Sequence, residues 1–130
     1  MKLTPFELNG TTYYLLLNGA ALFDIYDQFG QEVSVTDPIK DNTREGFEAV
    51  CWYLEALATQ GELYRRWEGQ DKGPIPTADM LAVCLSPLDA PRAKAAIQRA
   101  ICAGFALEET ERPKEIDKGL LELEKKTGGS

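Results

Sequence analysis

Arg44-Glu45-Gly46-Phe47-Glu48-Ala49-Val50-Cys51-Trp52-Tyr53-Leu54-Glu55-Ala56-Leu57-Ala58-Thr59-Gln60 is the stretch that decides how this chain folds. Phe47, Val50, Cys51, Leu54, Leu57 and Ala58 recur at i, i+3, i+4, i+7, i+10 and i+11, which is one apolar face at the helical period. Asn42 or Thr43 can accept a hydrogen bond from the orphan amides at its start, and Gly61 reads as the residue that ends it. A helix with so complete a stripe is expected at the centre of the fold. Trp52 and Tyr53 lie off the stripe. They either pack on a neighbouring loop or hairpin, or they form a partner-contact surface, where exposed aromatics are enriched.

Toward the N-terminus, residues 2–17 read as a β-hairpin. Asn9-Gly10 is its turn, because a type I′ turn needs positive φ at both central positions. That turn pairs Phe6 with Tyr13 and Leu8 with Thr11, and it places Phe6, Leu8, Tyr13, Leu15 and Leu17 on one face. Leu3, Tyr14 and Leu16 fall on the other, so both faces are apolar and Tyr14 and Leu16 become candidate partner-binding residues. Pro5 belongs near a strand end or on an open edge, since it has no N–H for the ladder. A first helix follows over 19–29, with Leu22, Ile25 and Phe29 on its stripe and Gly30 at its C-terminal cap. Val33 and Val35 alternate within 31–36, which can add a third strand before Asp37-Pro38 stops it.

Toward the C-terminus, 62–67 reads as a separate short helical segment with Leu63, Tyr64 and Trp67 turned inward. Gly69 to Pro76 is a loop. Thr77 caps a short helix to about Leu85, with Met80, Leu81 and Cys84 inward. Ser86-Pro87 breaks it, and a last helix runs over 90–103 with Pro91 in its first turn and Ala93, Ile97, Ala100 and Ile101 as its stripe. The expected architecture is α+β and mostly α: an N-terminal hairpin, or three strands, packed on a bundle of four or five helices. Residues 1–107 form one globular domain. Residues 108–130 carry five basic and seven acidic side chains, with apolar anchors only at Ile116, Leu120, Leu121 and Leu123, and read as a charged tail dispensable for folding.

Composition narrows the chemistry. The chain has 130 residues, 44% apolar and 27% charged, ordinary for one soluble domain. Its net charge is −7 and histidine is absent, which excludes Ser-His-Asp and Cys-His catalysis and any His-ligated metal. No phosphate loop, dinucleotide fingerprint, nucleophile elbow or EF-hand spacing occurs. No catalytic, cofactor-binding or metal-ligating residues are assigned, and no cofactor is expected. Cys51, Cys84 and Cys102 are odd in number, widely spaced and set within helical apolar patterns, so they read as reduced thiols acting as small hydrophobes. The first residues show no signal-peptide core, and no apolar run approaches the roughly 18 residues a membrane span needs, so a cytoplasmic protein without membrane association is expected. The acidic balance disfavours non-specific nucleic-acid binding. Residues 61–107 are the exception, with six basic against five acidic groups. The helix pair 77–85 and 90–103 there leaves open a DNA-binding or regulatory module of a mobile element. A small interaction subunit of a cellular complex is a third class.

The run from Asn9 through Tyr13-Tyr14-Leu15-Leu16-Leu17-Asn18 to Phe29-Gly30 resembles the opening of tail assembly chaperones of long-tailed phages, in which a small hairpin leads into a helix ending in Phe-Gly. The resemblance covers about the first 30 residues, together with length, helicity and acidity. It implies a non-enzymatic, prophage- or phage-encoded protein of the bacterial cytoplasm. Such a protein binds the tape measure protein as its client and helps recruit tail tube protein; separately, the two apolar faces of the hairpin leave open contact of its edge with a second copy, as a homo-oligomer. The resemblance further implies a longer form made by ribosomal frameshifting, for which Glu124-Lys125-Lys126 offers adenine-rich codons near the end of the frame. A hairpin edge together with Tyr14, Leu16, Trp52 and Tyr53 would supply the contact surface.

Overall fold

The structure is a computed structural model that describes residues 2–105. Two antiparallel strands, β1 (Thr4–Leu8) and β2 (Thr11–Leu15), form a hairpin and lead into α1 (Gly19–Phe29). A single 3-10 turn at Asp37–Ile39 precedes α2 (Arg44–Trp67), followed by α3 (Ala78–Cys84) and α4 (Asp89–Gly104). The fold is α+β and mostly α, as expected. The expectations for 108–130, including the frameshift run, lie outside the described residues.

The hairpin follows its sequence signals. Asn9 and Gly10 both take positive φ, 53° and 82°, and the register pairs Phe6 with Tyr13 and Leu8 with Thr11. In a two-residue hairpin the pair flanking the turn is hydrogen-bonded and pairs then alternate. Pro5, opposite Tyr14, therefore falls in a non-hydrogen-bonded pair and costs the ladder nothing. Phe6, Leu8, Tyr13, Leu15 and Leu17 are all buried.

α2 is the organising element, touched by β2, α1, the 3-10 turn, α3 and α4. Thr43 caps it by accepting from the Gly46 N–H at 3.0 Å. Val50, Cys51, Leu54, Leu57 and Ala58 are buried, and Phe47 packs against the same core. The helix does not end at Gly61 but runs on to Trp67, which corrects both the C-cap reading and the separate segment at 62–67. Gly61 is there for another reason. A Cβ on it would collide with the carbonyl oxygen of Tyr14, so the helix and β2 meet backbone to backbone. The Leu16 N–H donates to the Leu57 carbonyl at 3.0 Å and fastens the same contact.

No third strand forms at 31–36, which corrects that expectation. Ser34, Thr36 and Asp37 bond one another instead: the Ser34 N–H donates to Asp37 Oδ2 at 3.2 Å and the Asp37 N–H to the Ser34 carbonyl at 3.0 Å. Such local side-chain bonds draw the backbone away from a ladder. The two edges of the hairpin differ. β2 has α2 along its outer side. β1 has Pro5, and its Glu7 carbonyl accepts from Arg92 of α4 at 2.9 Å. α4 closes the core with Ala93, Ala96, Ile97, Ala100 and Ile101, all buried.

Candidate functional site

The fold puts the four expected contact residues to structural use. Leu16 is 3% exposed and Tyr53 fully buried, so neither is a surface for a partner. Leu16 is enclosed because its backbone is bonded to α2. The Tyr53 hydroxyl reaches the Val35 carbonyl at 2.5 Å and holds the 31–37 turn on α2. Burial, followed by the nearby Asp37 carboxylate, pushes the Tyr53 hydroxyl pKa far above the usual phenol range, so it stays a donor. Trp52 is half-buried and meets Phe29 of α1 edge-on at 5.2 Å, so its ring contact is with a helix rather than with the loop or hairpin expected. Tyr14 is half-buried beneath the Arg65 guanidinium, 4.8 Å from its ring centre. Leu16 and Tyr53 are thus taken up by the chain's own packing, whereas the outer face of the hairpin keeps Pro5, Glu7 and Thr12 exposed and Tyr14 half-buried.

One open apolar surface is the last part of α2, where two of the exposed large apolar side chains lie on the same helix side. The Asn18 side chain caps α1, accepting from the Ala21 N–H at 2.9 Å, and donates to Gln60 Oε1 at 3.0 Å. At its other end α1 meets Trp52 through Phe29. α1 thus lies antiparallel to α2 with its N-terminus at Gln60, and the turns of α2 beyond Gln60 project past it. Leu63 falls two and a half turns after Leu54, at about 3.6 residues per turn, and so faces away from the core. Leu63 is 46% exposed and Trp67, one turn further along the same side, is 87% exposed. These residues were expected inward, and the continuous helix corrects this by fixing their phase.

The opposite side of this projecting end is braced. Glu62 is buried, and its carboxylate accepts from Arg65 at 2.7 Å, from Arg66 at 2.8 Å and from the Gly73 N–H at 2.5 Å. Arg66 also donates to the Gly73 carbonyl at 2.9 Å, which straps the 69–76 loop onto the helix. Burial alone would raise the Glu62 pKa. The hydrogen bonds from Gly73, Arg66 and Arg65 outweigh it and hold the carboxyl below its ordinary value. The Leu63–Trp67 ridge is thereby carried on a fixed support. Tryptophan is among the residues most enriched in protein-binding hot spots.

Other chemistry is sparse. Among the described residues no group of three or more histidine, cysteine, aspartate or glutamate side chains is placed to hold a metal ion. Burial, then the Glu48 carboxylate, pushes the Cys51 thiol up and keeps it protonated. Among the described residues no helix is long and apolar enough to cross a membrane. Two cations of the helix pair considered for DNA reading are occupied within the chain. Arg92 bonds Glu7 and Asp89 and stacks on Phe6, and Lys94 bonds Asn42 at 3.0 Å. α3 packs on α2, and α4 on α2 and the hairpin, rather than on each other. Comparison with protein-family models, with curated proteins and with solved structures gave no match.

Proposed function

We propose that this chain is a non-enzymatic tail assembly chaperone of a long-tailed phage or prophage, made and retained in the bacterial cytoplasm. Its client is the tape measure protein, which it keeps soluble while tail tube subunits are recruited. The observation that carries this reading is the Leu63–Trp67 ridge, an exposed apolar pair on a braced helix end. A long apolar client needs a binder that covers hydrophobic side chains and then releases them. A narrow ridge of two side chains gives contact without the large interface of a permanent complex. The net charge of −7 keeps the loaded complex soluble. The order hairpin, α1 and helical remainder supports the reading, because the resemblance over residues 9–30 implies that order.

The test is co-expression of the full chain with the long tape-measure-like protein encoded beside its gene. The client should remain in the soluble fraction with the chain and aggregate without it. Equal solubility in both cases, or a genome with no such gene nearby, overturns the proposal.

A further inference from the structure

No lysine or arginine occurs between Lys2 and Lys40, whereas Glu7, Asp24, Asp27, Glu32 and Asp37 all lie in that interval. α1 is the only α-helix there, and its two sides differ sharply. Ala21 and Ile25 are buried against the core. Phe23 lies on the far side and is 61% exposed, with its ring set edge-on to Tyr26 at 6.1 Å and 80°. Asp24 follows Phe23 directly, Asp27 is one turn on, and both are exposed.

The charges on this face have no counterpart within the described residues. The ion pairs there lie at Asp37–Lys40, Glu62–Arg65, Glu62–Arg66 and Asp89–Arg92, none of them on α1. Exposed Phe23 with half-buried Tyr26 beside it, flanked by uncompensated carboxylates, is complementary to one kind of chemistry. A lysine or arginine can stack on a ring of the pair and bond Asp24 or Asp27, and an aliphatic side chain beside it can cover the rest of Phe23.

We propose that the outer face of α1, made by Phe23, Tyr26, Asp24 and Asp27, docks a lysine- or arginine-rich amphipathic segment of a partner protein. The site is separate from the Leu63–Trp67 ridge and does not depend on the phage reading. Its attraction is electrostatic in origin, so it sets encounter rate and partner choice and weakens with salt.

The experiment is a titration of the isotope-labelled full chain, followed by amide chemical shifts, with a short synthetic peptide of leucine and lysine at helical spacing. The same peptide with glutamate in place of lysine is the reference. With the lysine peptide the shifts should concentrate on residues 20–31, and with the glutamate peptide they should be absent. Phe23→Ser and the double change Asp24→Asn with Asp27→Asn should each weaken binding about tenfold or more, and both alter exposed side chains only. Asp71→Asn with Asp79→Asn removes the same charge elsewhere and should leave affinity within about twofold. Any one of four results overturns the proposal: shifts spread over the whole acidic surface or centred on 61–68, equal weakening by the Asp71 and Asp79 pair, unchanged binding by Phe23→Ser, or equal binding of the glutamate peptide.

Discussion

Gly61→Ala is a substitution on which two readings of the chain differ in sign. In an ordinary helix interior alanine is more favourable than glycine by about 1 kcal/mol, so the change would stabilise. Here the new methyl would overlap the Tyr14 carbonyl, and a backbone atom cannot swing aside as a flexible side chain can. Relief requires α2 and β2 to move apart. That movement stretches the Leu16 N–H to Leu57 carbonyl bond, now 3.0 Å, between two buried residues. Overpacking of a filled interior costs about 1–3 kcal/mol, and an orphaned buried amide costs a further 1–3 kcal/mol or so. After the helical gain the net loss should be about 2–4 kcal/mol. For a domain of this size that lowers Tm by roughly 10–20 °C. The assay is thermal unfolding followed by circular dichroism, with a urea titration at constant temperature. Gly19→Ala is the control, because a Cβ there meets nothing within 4 Å, and its Tm should hold or rise slightly. A Gly61→Ala protein as stable as wild type would mean that α2 and β2 do not meet at this point, and the account of the projecting helix end would fall with it.

Three further outcomes follow from the packing and the charges. Leu54→Ala, at the centre of the buried stripe, should cost about 2–5 kcal/mol in a urea titration, and a loss below about 1 kcal/mol would place Leu54 outside the core. Tyr53→Phe removes the bond to the Val35 carbonyl and should lower stability by about 1 kcal/mol, with faster amide exchange over 33–39; unchanged exchange would show that this bond does not hold the turn. The Glu62 carboxyl is held below its ordinary value of 4.5, so the folded protein releases its proton more readily than the unfolded chain. The stabilisation from Glu62 is therefore full above pH 4.5 and is lost as pH falls through the lowered folded value. Urea titrations across that range should show this component in wild type and not in Glu62→Gln, and identical pH profiles would contradict the strap.

Much of the fold was legible because it rests on local chemistry. Asn9-Gly10 sets the hairpin register on its own, since few dipeptides accept two successive positive φ angles. Of the two candidate caps before α2 Thr43 accepts the amide bond, Thr77 does the same for α3, and the structure adds Asn18 as the cap of α1. Gly61 was misread because a glycine has two meanings in a sequence, an ending or a close approach. Only the position of the Tyr14 carbonyl, far away in the chain, separates them. The error at Gly61 carried forward: with the helix cut there, Leu63 and Trp67 lost their fixed phase and were assigned inward. Continuing the stripe past Gly61 at the helical period is the signal that would have found them. Tyr53 and Leu16 were mistaken for surface residues because their burial depends on one long-range bond each, to Val35 and to Leu57, which no periodicity encodes.

The central claim is that the Leu63–Trp67 ridge holds an apolar protein client. The most direct measurement is calorimetric titration of the purified full chain with a soluble segment of the tape-measure-like protein, for wild type and for the double variant Leu63→Ser with Trp67→Ser. Both side chains are exposed, so the variant should melt within a few degrees of wild type. The account predicts that it binds about 30-fold or more weakly, the loss of a hot spot worth at least about 2 kcal/mol. A folded variant that binds the segment within about threefold of wild type would contradict it.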